Sequence, residues 1–239
     1  MRALSRNCSH HSSIFVVEDY GLAIYKSSSL PRGVNDLKNE ILGYTWYNNF
    51  REDKIRVNVE LETSHYIKIK IQYIDAIVPV ISKGYLENAV YIELAIKHYV
   101  SIWGGLSCDL KNHPIHGDYS IEGNILFKGE EVFIIDWEHF SDHGGRLGFD
   151  AIYLLFETLW LDGTSNSKAL NHVAKMIELL KVNDCIDLFF LNSPLESVIS
   201  FMRDNQHIWG EQFQKMPILR YTKNNIEKID SYINQRLSL

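Results

Sequence analysis

Apolar residues along the first third of the chain fall into short runs and strict alternations. Ile14–Val17 and Leu22–Lys26 flank Glu18-Asp19-Tyr20-Gly21, a pattern of strand, turn and strand. Residues 27–34 (SSSLPRGV) read as a loop. A helix is expected from Asn35, with Leu37, Ile41, Tyr44 and Asn48 on one face and Glu40 beside it. Ile55, Val57, Val59 and Leu61 then alternate with polar residues, as do Ile67, Ile69, Ile71 and Tyr73, so each run predicts a strand with one buried face. Residues 62–65 suit the hairpin turn.

After Asp75 the period lengthens. Leu86, Val90, Leu94 and Ile102, with Ile92, Ile96 and Tyr99 alongside, predict a long helix ending at Gly104-Gly105. Ile125–Phe127 and Val132–Ile135 flank Lys128-Gly129-Glu130-Glu131 as a small hairpin. The remainder reads as helical: Leu170, Val173, Ile177 and Leu180 make a buried stripe, Ser193-Pro194-Leu195-Glu196 reads as a capping box, and Ile226, Ile229 and Ile233 mark a last amphipathic helix. Strands followed by helices predict an α+β fold of two lobes. Residues 1–76 would form a small β-rich N-lobe with one helix and residues 77–239 a larger, mainly helical C-lobe, the break falling near 74–84 at Pro79 and Gly84.

Composition removes whole classes of function. With 239 residues, 46% hydrophobic and 23% charged, the chain is neither disordered, collagenous nor a disulfide scaffold. At this length a fold buries roughly 70–75% of its unfolded surface and needs no metal staple. The net charge is −6 and no Lys/Arg cluster occurs, which argues against nucleic acid and anionic membrane as partners. Ile14–Val17 is too short for a signal sequence and no stretch approaches about 18 apolar residues, so no membrane span is expected. Cys8, Cys108 and Cys185, odd in number and scattered, read as reduced structural thiols in a cytoplasmic protein.

The chemistry concentrates in residues 113–138, HPIHGDYSIEGNILFKGEEVFIIDWE. Asp118 and Asn124 are placed in the loop after the long helix, and Asp136 at the exit of an apolar strand, where ligand sites form. Two carboxylates and an amide oxygen are hard donors suited to Mg²⁺. Asp118 and Asp136 as simple turn caps are the other reading. The histidine pairs His113/His116 and His139/His143 have spacings a zinc site could use, but no cysteine or carboxylate pattern completes one. No Walker A loop, dinucleotide fingerprint or G-x-S-x-G elbow occurs.

HGD followed by GNIL, a short hairpin and IDWE resembles the aminoglycoside phosphotransferase and choline kinase-like family, over about residues 14–155, in a short member. The resemblance implies the two-lobed protein kinase-like fold and an ATP- and Mg²⁺-dependent phosphotransferase. Asp118 would orient or deprotonate the acceptor hydroxyl, Asn124 and Asp136 would hold Mg²⁺ on the ATP phosphates, and ATP would lie between the lobes. His116 would be a structural member of its loop, Asp150 would buttress that loop, and Glu138 completes the IDWE signature. Leu22-Ala23-Ile24-Tyr25-Lys26 resembles the V-A-I-K strand, with Lys26 on the α- and β-phosphates and Glu40 as its partner; an exposed lysine on an edge strand is the alternative. Tyr73, Ile74 and Ala76 would belong to the linker whose backbone meets adenine.

Two departures stand out. Asn124 lies six residues after Asp118 where the family has five, so a residue within 119–123 must bulge, and Gly123 is suited to absorb it. The place of the Gly-rich phosphate loop is a polar stretch, Ser5–Ser13, with scant room before it for a first strand. The part after Asp150 carries 10 acids and 9 bases, a balance that favours a neutral acceptor such as a sugar or glycan precursor over an aminoglycoside or amino alcohol. A pseudokinase that binds nucleotide or a protein partner without turnover is the competing function.

Overall fold

The computed structural model describes residues 4–7, 12–18, 21–106, 112–162 and 166–237. Cys8 and Cys108 lie outside them. The chain divides into two compact units: Met1–Asp75 with Asp136–Phe140, and Ala76–Ile135 with Ser141–Leu239.

The first unit is an antiparallel sheet of β1 (Leu4–Asn7), β2 (Ser12–Glu18), β3 (Gly21–Ser28), β4 (Val57–Glu62) and β5 (Ile67–Gln72), in the order β1-β2-β3-β5-β4. The helix α1 (Pro31–Tyr47) packs on β3 and β5. A first strand thus exists where a polar loop was expected. Paired on β2 through Leu4↔Phe15 to Asn7↔Ser12, β1 lies at the sheet edge, where backbone pairing needs no apolar stripe.

Two further expectations need correction. The alternation of β4 buries no face: Val59 and Leu61 are 46% and 52% exposed, because β4 is the other edge strand and α1 covers β3 and β5. β5 does obey its pattern, with Ile67, Ile69 and Ile71 buried. And α1 begins at Pro31, not Asn35. Proline at the first helical position forgoes only an N–H that has no partner there, and Val34 N–H closes the first turn onto Leu30 O at 2.9 Å. The buried face runs along Val34, Leu37, Glu40, Gly43, Tyr44 and Tyr47, so Glu40 is central to it rather than beside it.

The second unit contains α2 (Ala89–Trp103), the two-stranded sheets β6 (His113–Ile115) with β9 (Ser141–Gly145) and β7 (Ile125–Lys128) with β8 (Glu131–Ile134), and the helices α3 (Phe149–Asp162), α4 (Ser167–Val182), α5 (Leu188–Leu191), α6 (Pro194–Asp204) and α7 (Lys223–Leu237). The expected hairpin is in register, Ile125↔Ile134 to Lys128↔Glu131. α2 buries Ile92, Ile96, Tyr99 and Trp103, while Leu86, in the 3₁₀ turn before it, and Val90 lie exposed. α3 is apolar nearly all round, with Ala151, Ile152, Leu154, Leu155, Phe156 and Leu159 inaccessible, as befits a central helix. α6 is not capped by its own Ser193. Asp230 of α7 accepts from Leu195 N–H and Glu196 N–H at 2.9 and 3.1 Å, a tertiary cap that local spacing does not encode. No helix among the described residues is long and apolar enough to cross a membrane.

Among the described residues no cluster of three His, Cys, Asp or Glu is arranged to hold an ion. His113 is fully buried, and neither ring nitrogen makes a well-formed hydrogen bond among the described residues, the Pro114 backbone opposing the effect of burial only in part. Burial pushes its pKa below the ordinary 6.5. Its contribution to stability is therefore complete above pH 6.5 and is lost as pH falls from 6.5 through the lower folded-state value. His113→Leu removes two stranded polar atoms whose burial costs about 1–3 kcal/mol. The variant is expected to melt at or above the wild-type temperature at pH 7 and to lose less stability on acidification to pH 5. Thermal melts of both proteins at the two pH values check this.

Candidate active site

In the first unit, β3 and α1 bring an ammonium and a carboxylate together in a dry place. Lys26 sits opposite Ile69 on the sheet face that carries Ile67 and Ile71 and receives α1. Its Nζ donates to Glu40 Oε1 and Oε2 at 2.8 and 2.9 Å, and to Asp136 Oδ1 at 2.5 Å. The Glu40 side chain is inaccessible, Lys26 is 10% exposed, and Asp136 is 38% exposed. Lys26 is accordingly no exposed edge lysine.

One cation here serves two carboxylates. Desolvation pulls the Lys26 ammonium down, but Asp136 and Glu40 overcome it and hold its pKa well above 10.5. Burial pushes Glu40 up to about 7 against the pull of Lys26, and the negative charges of Asp136 and Glu138 add to that push. An excess of negative charge at a partly exposed carboxylate is what a divalent cation offsets.

Asp136 reaches this place through an unusual backbone. It leaves β8 two residues after Ile134 and takes φ 62° and ψ 59°, a left-handed conformation that aspartate tolerates and most residues do not. Trp137–His139 then form a 3₁₀ turn packed on α1. A Cβ at Gly43 would collide with the Trp137 side chain, so a glycine in the helix is what admits that turn. Glu138 lies in it, its carbonyl 3.4 Å from Asn39 Nδ2.

In the second unit the loop from Ile115 to Asn124 is tied at several points. Asp150, in the first turn of α3 and inaccessible, accepts from His116 N–H and Gly117 N–H at 2.8 and 3.0 Å. Burial lifts its pKa to about 7, against those two bonds. Asp118 N–H donates to His116 Nδ1 at 3.2 Å, which makes Nδ1 the acceptor and directs Nε2–H to Ile135 O at 3.0 Å. His116 is thus locked in one tautomer as a strut. Trp209 adds a bond of 2.6 Å from its indole N–H to Gly117 O.

Asn124 closes the loop. Its Nδ2 donates to Asp118 O at 2.8 Å and Asp118 Oδ2 at 2.9 Å, which fixes the amide orientation and leaves the side-chain oxygen for a hard cation. Gly123 carries φ 109°, so the longer Asp118–Asn124 spacing turns at a residue that adopts this conformation without strain. Asn124 O accepts from the N–H of Ile135, the residue before Asp136. Tyr73 N–H is engaged by Leu22 O at 3.3 Å, while among the described residues no hydrogen bond engages Ile74 to Ala76.

The geometry adds residues that the motif did not single out. Tyr153 of α3 reaches Asp118, Glu157 holds the Tyr153 hydroxyl, and Trp209 reaches the Asp118 loop. The four-residue spacing of Tyr153 and Glu157 put them on one helix face, a readable signal; nothing in the sequence tied Trp209 to Gly117. Asp150→Ala strands two buried N–H groups and is expected to cost about 2–6 kcal/mol. Chemical denaturation of the wild type and the variant checks this.

No protein-family model matches the chain, and no curated protein matches it by sequence. Solved structures do match. The streptomycin-ATP-APH(2")-IIa ternary complex superimposes with a TM-score of 0.54 at 12% identity, covering 98% of this chain and 91% of that one. WaaP in complex with acyl carrier protein follows at 0.51 and 10%, covering 87% and 88%. At such identities the likeness is one of fold: the chain has the kinase-like fold of the aminoglycoside phosphotransferases, an α+β fold with a small sheet-rich N-terminal part.

Proposed function

We propose that this chain transfers the γ-phosphoryl group of ATP·Mg²⁺ to a hydroxyl of a small molecule, a sugar or glycan precursor in preference to an aminoglycoside or amino alcohol. The observation that carries the reading is the shared hold of Glu40 and Asp136 on Lys26, three residues drawn from a strand, a helix and a turn 96 residues beyond that helix glutamate. A buried ammonium with two carboxylates has no structural need of the second one. Lys26 would meet the α- and β-phosphates. Asp136 and Asn124 would hold Mg²⁺, which keeps few protein ligands and takes the rest from phosphate and water; bound, it would offset charge on the phosphates. Asp118 would hold the acceptor hydroxyl and take up its proton. The linker backbone at Tyr73, Ile74 and Ala76 would face adenine.

The similar structures, one a complex of streptomycin and ATP, support the reaction class and leave the acceptor to the balanced charge after Asp150. The test is ADP release over a panel of sugars, amino alcohols and aminoglycosides, with and without Mg²⁺, for the wild type and Asp118→Ala. Release that needs Mg²⁺ and Asp118, and that an acceptor raises above the slow transfer to water, is the expected result. A rise in melting temperature with ATP·Mg²⁺ and no turnover would point instead to a nucleotide-binding pseudokinase, and no response to ATP·Mg²⁺ would remove both.

A further inference from the structure

Asp118 is held from two sides. Asn124 Nδ2 lies 2.9 Å from Oδ2, and the Tyr153 hydroxyl lies 3.4 Å from Oδ1. The same hydroxyl lies 2.9 Å from Glu157 Oε1. Tyr153 is 1% exposed, and its ring is stacked at 6.0 Å on Phe149. A phenylalanine would serve that packing as well, and a buried phenol is tolerated only where its hydroxyl is partnered. Here the shorter partner is an acid one helical turn on, and the longer is Asp118.

From this chain of hydrogen bonds we propose that Tyr153 and Glu157 are positioning residues for Asp118: Glu157 fixes the Tyr153 hydroxyl, which with Asn124 sets the orientation of the Asp118 carboxylate. The phenol has a single proton to place. For that proton to reach Asp118 Oδ1, the Glu157 carboxyl donates to the phenol oxygen, which leaves the phenol O–H for Asp118. Burial and the Asp118 and Glu122 charges press on Glu157, so the acid is kept there against an electrostatic cost. The role rests on the reading of Asp118 as the group that receives the acceptor hydroxyl.

The test uses ATP·Mg²⁺ with water as acceptor, followed as ADP release, for the full chain and the variants Tyr153→Phe, Glu157→Ala and Glu157→Gln. Tyr153→Phe and Glu157→Ala are expected to lower kcat on the order of 10–100-fold with the KM for ATP unchanged. Glu157→Gln, whose amide N–H donates to the phenol oxygen and leaves the phenol proton for Asp118, is expected to recover most of kcat. An unchanged kcat in Tyr153→Phe, an equal change in KM, or a Gln variant as impaired as the Ala variant overturns the proposal. A second readout needs no turnover. In protein carrying ¹³C-labelled tyrosine, the Tyr153 ring signal is expected to shift in both Asp118→Ala and Glu157→Ala, and a signal that stays put in either refutes the chain of contacts. If the wild type shows no Asp118-dependent release while that signal shifts in both variants, the phosphotransfer reading fails and the positioning chain stands.

Discussion

Asp118→Ala is expected to lower acceptor-dependent ADP release by about 10²–10⁴-fold, the usual range for a positioned group that takes up a proton. The same variant is expected to melt no lower than the wild type. Asn124 keeps one bond, to Asp118 O, after the carboxylate is gone. Removal of that carboxylate also relieves Glu157 and Asp150, both pushed up in part by the Asp118 charge. Loss of turnover with stability held or raised is the mark of a group placed for chemistry at a cost to the fold. Calorimetry beside the ADP assay separates the cases. A parallel fall in stability and turnover would make Asp118 a structural cap of its turn.

The strands and helices were legible wherever one face meets the core, since burial imposes a period. β5, the β7/β8 hairpin and the stripe of α4 followed it. Legibility failed where burial was not the organising force. β4 alternates like a buried strand yet lies at an edge, and β1 is held by backbone pairing with no apolar signature. α1 began four residues early because proline at a first turn reads locally as a break and structurally as a start.

The site was legible to the extent that its chemistry is bound to short motifs. HGD, the asparagine after it and IDWE marked one stretch, and an apolar run ending in lysine marked another. Long-range partners left no such trace. Asp230 capping α6, Trp209 on Gly117 and Gly43 making room for Trp137 depend on which surfaces meet after folding. A glycine within a helix and a tryptophan among 3₁₀ turns look ordinary until their neighbours are known.

Lys26→Met is expected to cost about 3–5 kcal/mol, because methionine keeps the stem volume but leaves the inaccessible Glu40 without its cation. The loss should depend on pH. Removing Lys26 removes the main pull downward on Glu40, whose folded-state pKa is already about 7, so it rises further above its ordinary 4.5. A carboxyl with a raised folded-state value stabilises fully below 4.5 and loses that contribution as pH rises through the folded value. Denaturation should therefore show a larger deficit at pH 8 than at pH 6. Pairing the change with Glu40→Leu replaces the buried ions by apolar groups, an exchange that is often neutral or favourable, so Lys26→Met/Glu40→Leu is expected to regain most of the stability. It should not regain the melting-temperature rise with ATP·Mg²⁺, since the phosphates have lost their cation. Both halves of that outcome are needed: a double variant that is stable and still responds to ATP·Mg²⁺ would reduce the Lys26–Glu40 pair to a packing device and remove the observation on which the phosphotransfer reading stands.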